Sequence, residues 1–180
     1  LGGRHDATSS LKNILGTVIC NISREHMDVL GPTLAKIAGE KAALARRAKP
    51  VVCAPQGKKV LSVIERQAKR VGAPLKVYGR DFEAHLDRLD IAGIAFAFDG
   101  GGKKLESLRF PFIGRHQLEN AALVIAMCHE LGMRGFSVSP ENIRKGLRST
   151  KWSGRLEVVG KRPLVVIDTA CNVAALKVSL

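Results

Sequence analysis

Aromatic residues are scarce in this chain. One Trp, one Tyr and six Phe make up 4% of 180 residues, so a surface that recognises single strands by stacking their bases has little to build from. Acidic residues are few as well: 16 Asp and Glu stand against 29 Lys and Arg, for a formal net charge of +13. Such an excess attracts polyanions. The positives are dispersed, however, through "LARRAKP", "ERQAKRVG" and "GKRP", and no block of five or six forms a basic tail. A solvated basic surface accounts for that dispersion, and nucleic acid is not an expected partner. The four cysteines, Cys20, Cys53, Cys128 and Cys171, include no C-x-x-C pair, which removes the common zinc and redox motifs. Three of them sit in apolar runs, where cysteine acts as a small hydrophobe, and a reducing cytoplasm is the expected setting. No apolar run reaches the ~18 residues of a membrane span and no signal peptide is recognisable, so no membrane partner is expected.

What is present is ordinary globular material, 46% hydrophobic and 25% charged, enough for one domain with a core. The β-branched run "TVICNIS" (17–23) predicts a buried strand. "TLAKIAGEKAALARRA" (33–48) predicts a helix with Thr33 as its cap. "VVCAP" (51–55), the amphipathic "GKKVLSVIERQAKRVG" (57–72) and "PLKVYG" (74–79) continue a strand–helix–strand pattern, that of a parallel sheet with crossover helices. "IAGIAFAF" and "KKLESLRFPF" flank "DGGG", an antiparallel hairpin signal. A long apolar helix over "HQLENAALVIAMCHELG" (116–132) follows. A short helix after Ser139 and Pro140 comes next, then two strands, "RLEVVG" and "LVVID", across a "KRP" turn. The expected class is α/β: a mostly parallel sheet flanked by helices, with an antiparallel hairpin portion. The chain opens without methionine on "LGGRHDAT" and stops as a helix begins. Both ends read as cut from something larger.

Five constellations could carry chemistry. In "LGGRHDAT", paired glycines and Arg4 could bring backbone amides up to an anion; a plain turn is the alternative. His26, between Glu25 and Asp28, follows a strand end, where parallel sheets bind ligands; it is a candidate metal ligand or a solvated loop histidine. His116, Gln117 and Asn120 open the long helix, as caps or as readers of a base edge or phosphate. In "TKWSGRLEVV", Lys151 and Arg155 flank the single tryptophan; Arg155 suits bidentate phosphate contact, and the alternative is a packed tryptophan beside surface cations. Asp168 ends an apolar strand, ready for a metal, water or ribose, or as a helix cap. One further residue stands out. The apolar stripe Leu34, Ile37, Ala38, Ala42 and Ala45 contains Lys41, at a position where an ammonium is costly to bury. It must snorkel to the surface or pair with Glu25 or Glu40.

Taken together, "GGR-DAT", "LGPTLAKIAGEKA", "GRHQ--NA", "WSGRLEVV" and "D-A-N" resemble the folylpolyglutamate synthase / dihydrofolate synthase family of the Mur ligase superfamily, from Leu1 to about Asn172. The resemblance implies a P-loop NTPase-like central ATPase domain over residues 1–162 and the beginning of a Rossmann-like C-terminal domain over 163–180. It implies an ATP-dependent ligase that adds L-glutamate to a folate or dihydropteroate carboxylate through an acyl phosphate, with ATP and Mg2+, in a cytoplasmic monomer. By motif match Lys41 is the carbamylated lysine, His26 a magnesium ligand, and Asn120, Arg155 and Asp168 contact ATP. Gly2, Gly3, Arg4 and Asp6 belong to a loop near the metal and the folate. Departures are present: these residues contain no G-x-x-x-x-G-K-[ST] P-loop, and "DTACN" has Thr169 and Cys171 where the family has glycine and histidine. On these grounds the chain by itself is expected to be inactive. The alternatives are another Mur-superfamily amino-acid ligase, or a non-enzymatic anion-binding remnant.

Overall fold

A computed structural model of the chain describes residues 3–4, 7–171 and 173–179. Its organising strand is β2 (Val51–Cys53), buried on both faces. β2 lies between β1 (Thr17–Ile19) and β3 (Leu75–Val77) in a parallel sheet, with Ile19 opposite Cys53 and Cys53 opposite Val77. Successive strand side chains point to opposite faces, so β2 feeds two cores. Val51 and Cys53 pack with Ile37 and Ala38 of α2 (Leu34–Ala42) and with Val60, Ile64 and Ala68 of α3 (Lys58–Val71). Val52 and Ala54 pack on the other side, against α4 (His116–Gly132). The crossover between β1 and β2 also contains the one-turn α1 (Met27–Leu30).

The second core is a sandwich. α4 lies between the parallel sheet and an antiparallel one made of β4 (Phe82–Asp90), β5 (Gly93–Gly100) and β6 (Lys103–Phe110). Phe96, Phe98 and Leu108 of that sheet are fully buried, as are Ala121, Ala122 and Ile125 of α4. The alanines let backbone and sheet approach closely without a void. α5 (Pro140–Ser149) adds Ile143 and Leu147 to the same core. The sheet turns between β5 and β6 on Gly101 and Gly102, both at positive φ (62° and 71°), the backbone a two-residue I′ hairpin requires. A last hairpin pairs β7 (Glu157–Lys161) with β8 (Leu164–Ile167) and leads into α6 (Val173–Ser179). Every residue of β8 is exposed. The hairpin straddles residues 162 and 163.

The α/β class and the helices at 116–132 and 140–149 stand as the sequence predicts. Three expectations change. The first strand stops at Ile19 rather than running to 23, because Gln56 takes over the ladder: its Nε2 donates to Cys20 O (2.9 Å) and its Oε1 accepts from Ile22 N (3.2 Å). The helix from 33 ends at Ala42 rather than 48. Arg46 folds back and donates to Ala43 O (2.8 Å), and Pro50 disfavours helix in the residue before it. The antiparallel portion has three strands rather than two. β4 shows the alternation, with Phe82 and Ala84 buried and Glu83 and His85 facing out, but its charged residues hide a short apolar period.

Burial on this scale sets an unequal response to truncation. Phe96→Ala in the sandwich is expected to lower unfolding free energy by about 3–5 kcal/mol. Val165→Ala on exposed β8 should stay within about 0.5 kcal/mol. Urea denaturation followed by circular dichroism measures both.

Candidate functional site

The amino end of α4 and the carboxyl end of β1 meet the turn before β7 and the end of β8 around one cleft of about 560 Å3. Asn120, Arg155 and Asp168, three residues singled out from sequence, all line it. Its apolar walls include Val18, Phe112 and Leu123, and Trp152 stands at the edge, 68% exposed. The packed tryptophan of the plain alternative is therefore not what forms. Apolar walls with a few convergent polar groups suit a ligand with a flat apolar part and an anionic part.

The polar side of the cleft is a relay along the first turn of α4. Asn120 Nδ2 donates to Gln117 Oε1 (3.2 Å), and Gln117 Nε2 donates to His116 Nε2 (3.0 Å). Gln117 is buried, whereas Asn120 is exposed and keeps its own carbonyl oxygen for the cleft. With His116 Nε2 accepting, the neutral ring carries its proton on Nδ1, which is buried without a partner among the described residues. The ring lies against Gly114, where a Cβ would come within 2.6 Å of His116 Cε1. Burial holds His116 below the usual histidine range; Asp168 opposes that shift and Arg155 reinforces it.

Arg155 is displayed by an unusual turn. Gly154 and Leu156, on either side of it, both have left-handed backbone (φ 74° and 48°), which costs energy at a leucine. Asp168 holds the turn: Oδ2 accepts from Leu156 N (2.9 Å) and Oδ1 from Ala170 N (2.7 Å). Thr169 N donates to Gly154 O (2.9 Å), and Glu157 Oε2 accepts from Gly154 N (2.8 Å). The aspartate thus accepts from its own loop and from the arginine's turn.

The remaining sequence candidates form a second group. Lys41 Nζ lies 3.0 Å from Glu25 Oε1, with 21% and 28% of the two side chains exposed. The charge on the apolar stripe is met by a carboxylate from the loop before α1. His26, the next residue, sits in left-handed backbone (φ 47°) at the start of α1 and makes no side-chain capping bond. The glycine loop docks on the residue before Lys41: Arg4 N donates to Glu40 Oε2 (3.3 Å), and a Cβ at Gly3 would come within 3.0 Å of Glu40 Cβ. Gly2 and Asp6 lie outside the described residues. Among the described residues no group of three or more His, Cys, Asp or Glu side chains is placed to hold a metal.

Sequence reasoning passed over Cys20, read as a small hydrophobe. It lines the cleft at the carboxyl end of β1, where the rule applied to His26 could have found it. Burial raises its thiol, and the charge of Lys41 pulls it back. Cys53, behind it in the other core, is pushed up to about 11 by burial. Cys171 is an exposed free thiol.

His129, at the far end of α4, packs edge-on to Phe98 (5.4 Å between centroids), and burial lowers its pKa too. Both histidines sit below the ordinary value of 6.5. On acidification the unfolded chain therefore takes up these protons first. Stability from the two neutral rings is intact above that value and declines as pH falls through it. The melting temperature is expected to drop between about pH 7.5 and pH 5.5, and the double variant His116→Asn/His129→Asn should flatten that slope in a thermal-melt series.

The Mur ligase middle domain family model matches residues 4–128. A dihydrofolate synthase/folylpolyglutamate synthase of Bacillus subtilis is 38% identical over 173 residues, which is 96% of this chain and 40% of that protein. A probable bifunctional folylpolyglutamate synthase/dihydropteroate synthase of Haloferax volcanii is 34% identical over 179 residues, 96% of this chain and 20% of that one. Among solved structures, a folylpolyglutamate synthase complex with AMPPCP and folate aligns with a TM-score of 0.93 at 27% identity, covering 98% of this chain and 43% of that one. Mycobacterium tuberculosis folylpolyglutamate synthase complexed with ADP aligns at 0.80 and 30% identity, covering 89% and 36%. The chain thus spans two fifths or less of the length of these two curated relatives. On sequence and fold alike, the chain belongs to the Mur ligase middle domain family, and its relatives are folylpolyglutamate and dihydrofolate synthases.

Proposed function

We propose that this chain is the nucleotide-binding part of an ATP-dependent ligase that joins L-glutamate to a folate or dihydropteroate carboxylate. The observation that carries the reading is the convergence of Asn120, Arg155 and Asp168 on one cleft, in a fold shared with a solved folylpolyglutamate synthase bound to an ATP analogue and folate. The flat walls of Val18, Phe112 and Trp152 would take the base, and Asn120 would read its edge. Arg155 presents a fork suited to phosphate oxygens. Asp168 fixes the turn that aims it. In the reaction the folate carboxylate oxygen attacks the terminal phosphorus of ATP and ADP leaves. The glutamate amine then attacks the acyl carbon, and the tetrahedral adduct expels phosphate to leave the amide. Arg155 offsets charge that develops on the phosphoryl oxygens. Residues 1–162 are assigned to the central domain and 163–180 to the start of the next, in a cytoplasmic monomer whose chain alone does not complete the ligation.

Lys41 belongs to this reading as a carbamate. Its neutral amine attacks carbon dioxide, a nitrogen–carbon bond forms, and one proton leaves. Glu25 then faces an anion instead of a cation. The group becomes rich in oxygen donors, the set magnesium prefers, with His26 adjacent. Magnesium, when bound, would neutralise the phosphates. Among the described residues the unmodified side chains do not form such a set, and carbamylation would add two oxygen donors to it.

Titrating MgATP into the purified chain, with Trp152 emission as the readout, tests both parts. Saturable quenching is expected. Arg155→Gln and Asn120→Ala should each weaken it by about tenfold. Bicarbonate should strengthen binding in the parent chain and have no effect in Lys41→Ala. A folded chain that binds no nucleotide would remove the reading of the cleft, and a bicarbonate effect that survives in Lys41→Ala would remove that of the lysine.

A further inference from the structure

The outer face of the β4–β5–β6 sheet carries an arrangement the nucleotide reading does not use. Strand register sets Arg88 of β4 opposite Ala95 of β5, and Ala95 opposite Arg109 of β6. Cross-strand partners share a face. With strands about 4.8 Å apart, the two arginine positions stand about 10 Å apart across a single methyl group. Ile94 and Phe96, on either side of Ala95, are buried on the opposite face. A recess of about 510 Å3 opens at this place, and Arg148, in the last turn of α5, adds a third guanidinium to its lining. Its base is backbone: Gly93 (φ 114°) lies so close that a Cβ there would collide with Phe110 O.

The charges are left largely uncompensated. Arg88 Nε is 3.0 Å from Asp90 Oδ2, which leaves its two terminal nitrogens available. The side chains of Arg109 and Arg148 make no ion pair or hydrogen bond among the described residues, and none of the described acidic residues lines the recess. Three like charges around one concavity repel one another. An anion between them turns that repulsion into attraction, and planar forks favour phosphate or carboxylate oxygens in pairs. Three forks against one aspartate call for more than a single negative charge. The bounded volume suits a small molecule.

We propose that this recess, lined by Arg88, Arg109 and Arg148 around Ala95, is a binding site for a compact polyanion with two or more phosphate or carboxylate groups. The site is separate from the nucleotide cleft and shares only Phe110 with it.

Calorimetric titration of the whole chain at low salt tests this with two probes, inorganic tripolyphosphate and a tetraglutamate peptide. Saturable binding of one equivalent of either probe is expected, and the tighter of the two names phosphate or carboxylate as the preferred group. Arg109→Gln/Arg148→Gln should weaken it by tenfold or more. Both side chains are exposed, and an unchanged circular dichroism spectrum confirms the fold. Lys58→Gln/Lys59→Gln removes the same two charges from the exposed start of α3 and should change affinity less than twofold. Arg155→Gln should leave binding intact. Three outcomes overturn the proposal: no binding of either probe, an equal loss in the Lys58/Lys59 variant, which means diffuse charge, or a loss confined to Arg155→Gln, which puts the anion in the cleft.

Discussion

The packing of α4 between two sheets is the constraint on which the rest of the molecule depends. One helix supplies the contact surface for Val52 and Ala54 on one side and for Phe96 and Phe98 on the other. Its own residues at those contacts are mostly alanine, so the layers are held at short range. A helix fixed in this way has no freedom to rotate. Its first turn must then present Gln117 inward and Asn120 outward, and the relay from Asn120 to His116 follows from that orientation. The cleft is a consequence of how the core is built.

The same logic explains which parts were legible in the sequence. α4 announces itself because its apolar residues recur over many turns, and α5 because Ser139 and Pro140 mark its start with side-chain chemistry. The central strand β2 reads as a continuous apolar run because both of its faces are covered. β4 was illegible because one face meets water: Glu83, His85 and Arg88 interleave with Phe82 and Ala84. The ends of β1 and α2 depend on Gln56 and Arg46, side chains that replace backbone partners from a distance. No local pattern reveals such a replacement.

Of the candidate site, residue identity was legible and grouping was not. Asn120, Arg155 and Asp168 were singled out individually, and only the fold brings them into one cleft. Lys41 was conspicuous as a charge on an apolar stripe, while its partner Glu25 comes from a loop whose path the sequence does not dictate. Asp168 shows the difference best. Its place at a strand end suggested a ligand contact; in the fold one of its oxygens accepts from the turn that carries Arg155 and the other from its own loop. The arginine's aim is therefore the aspartate's first effect.

That turn rides on the β7–β8 hairpin, whose second strand is exposed along its whole length, while the facing wall of the cleft is rooted in the deepest core. The two sides therefore belong to different ranks in the hierarchy of local opening. Amides of Leu164–Ile167 would exchange with solvent through excursions that leave α4 closed. A molecule that bridges Asn120 and Arg155 would couple those ranks, lending the hairpin protection it does not have alone. The half of the cleft that carries the arginine is thus the half whose order a ligand can set.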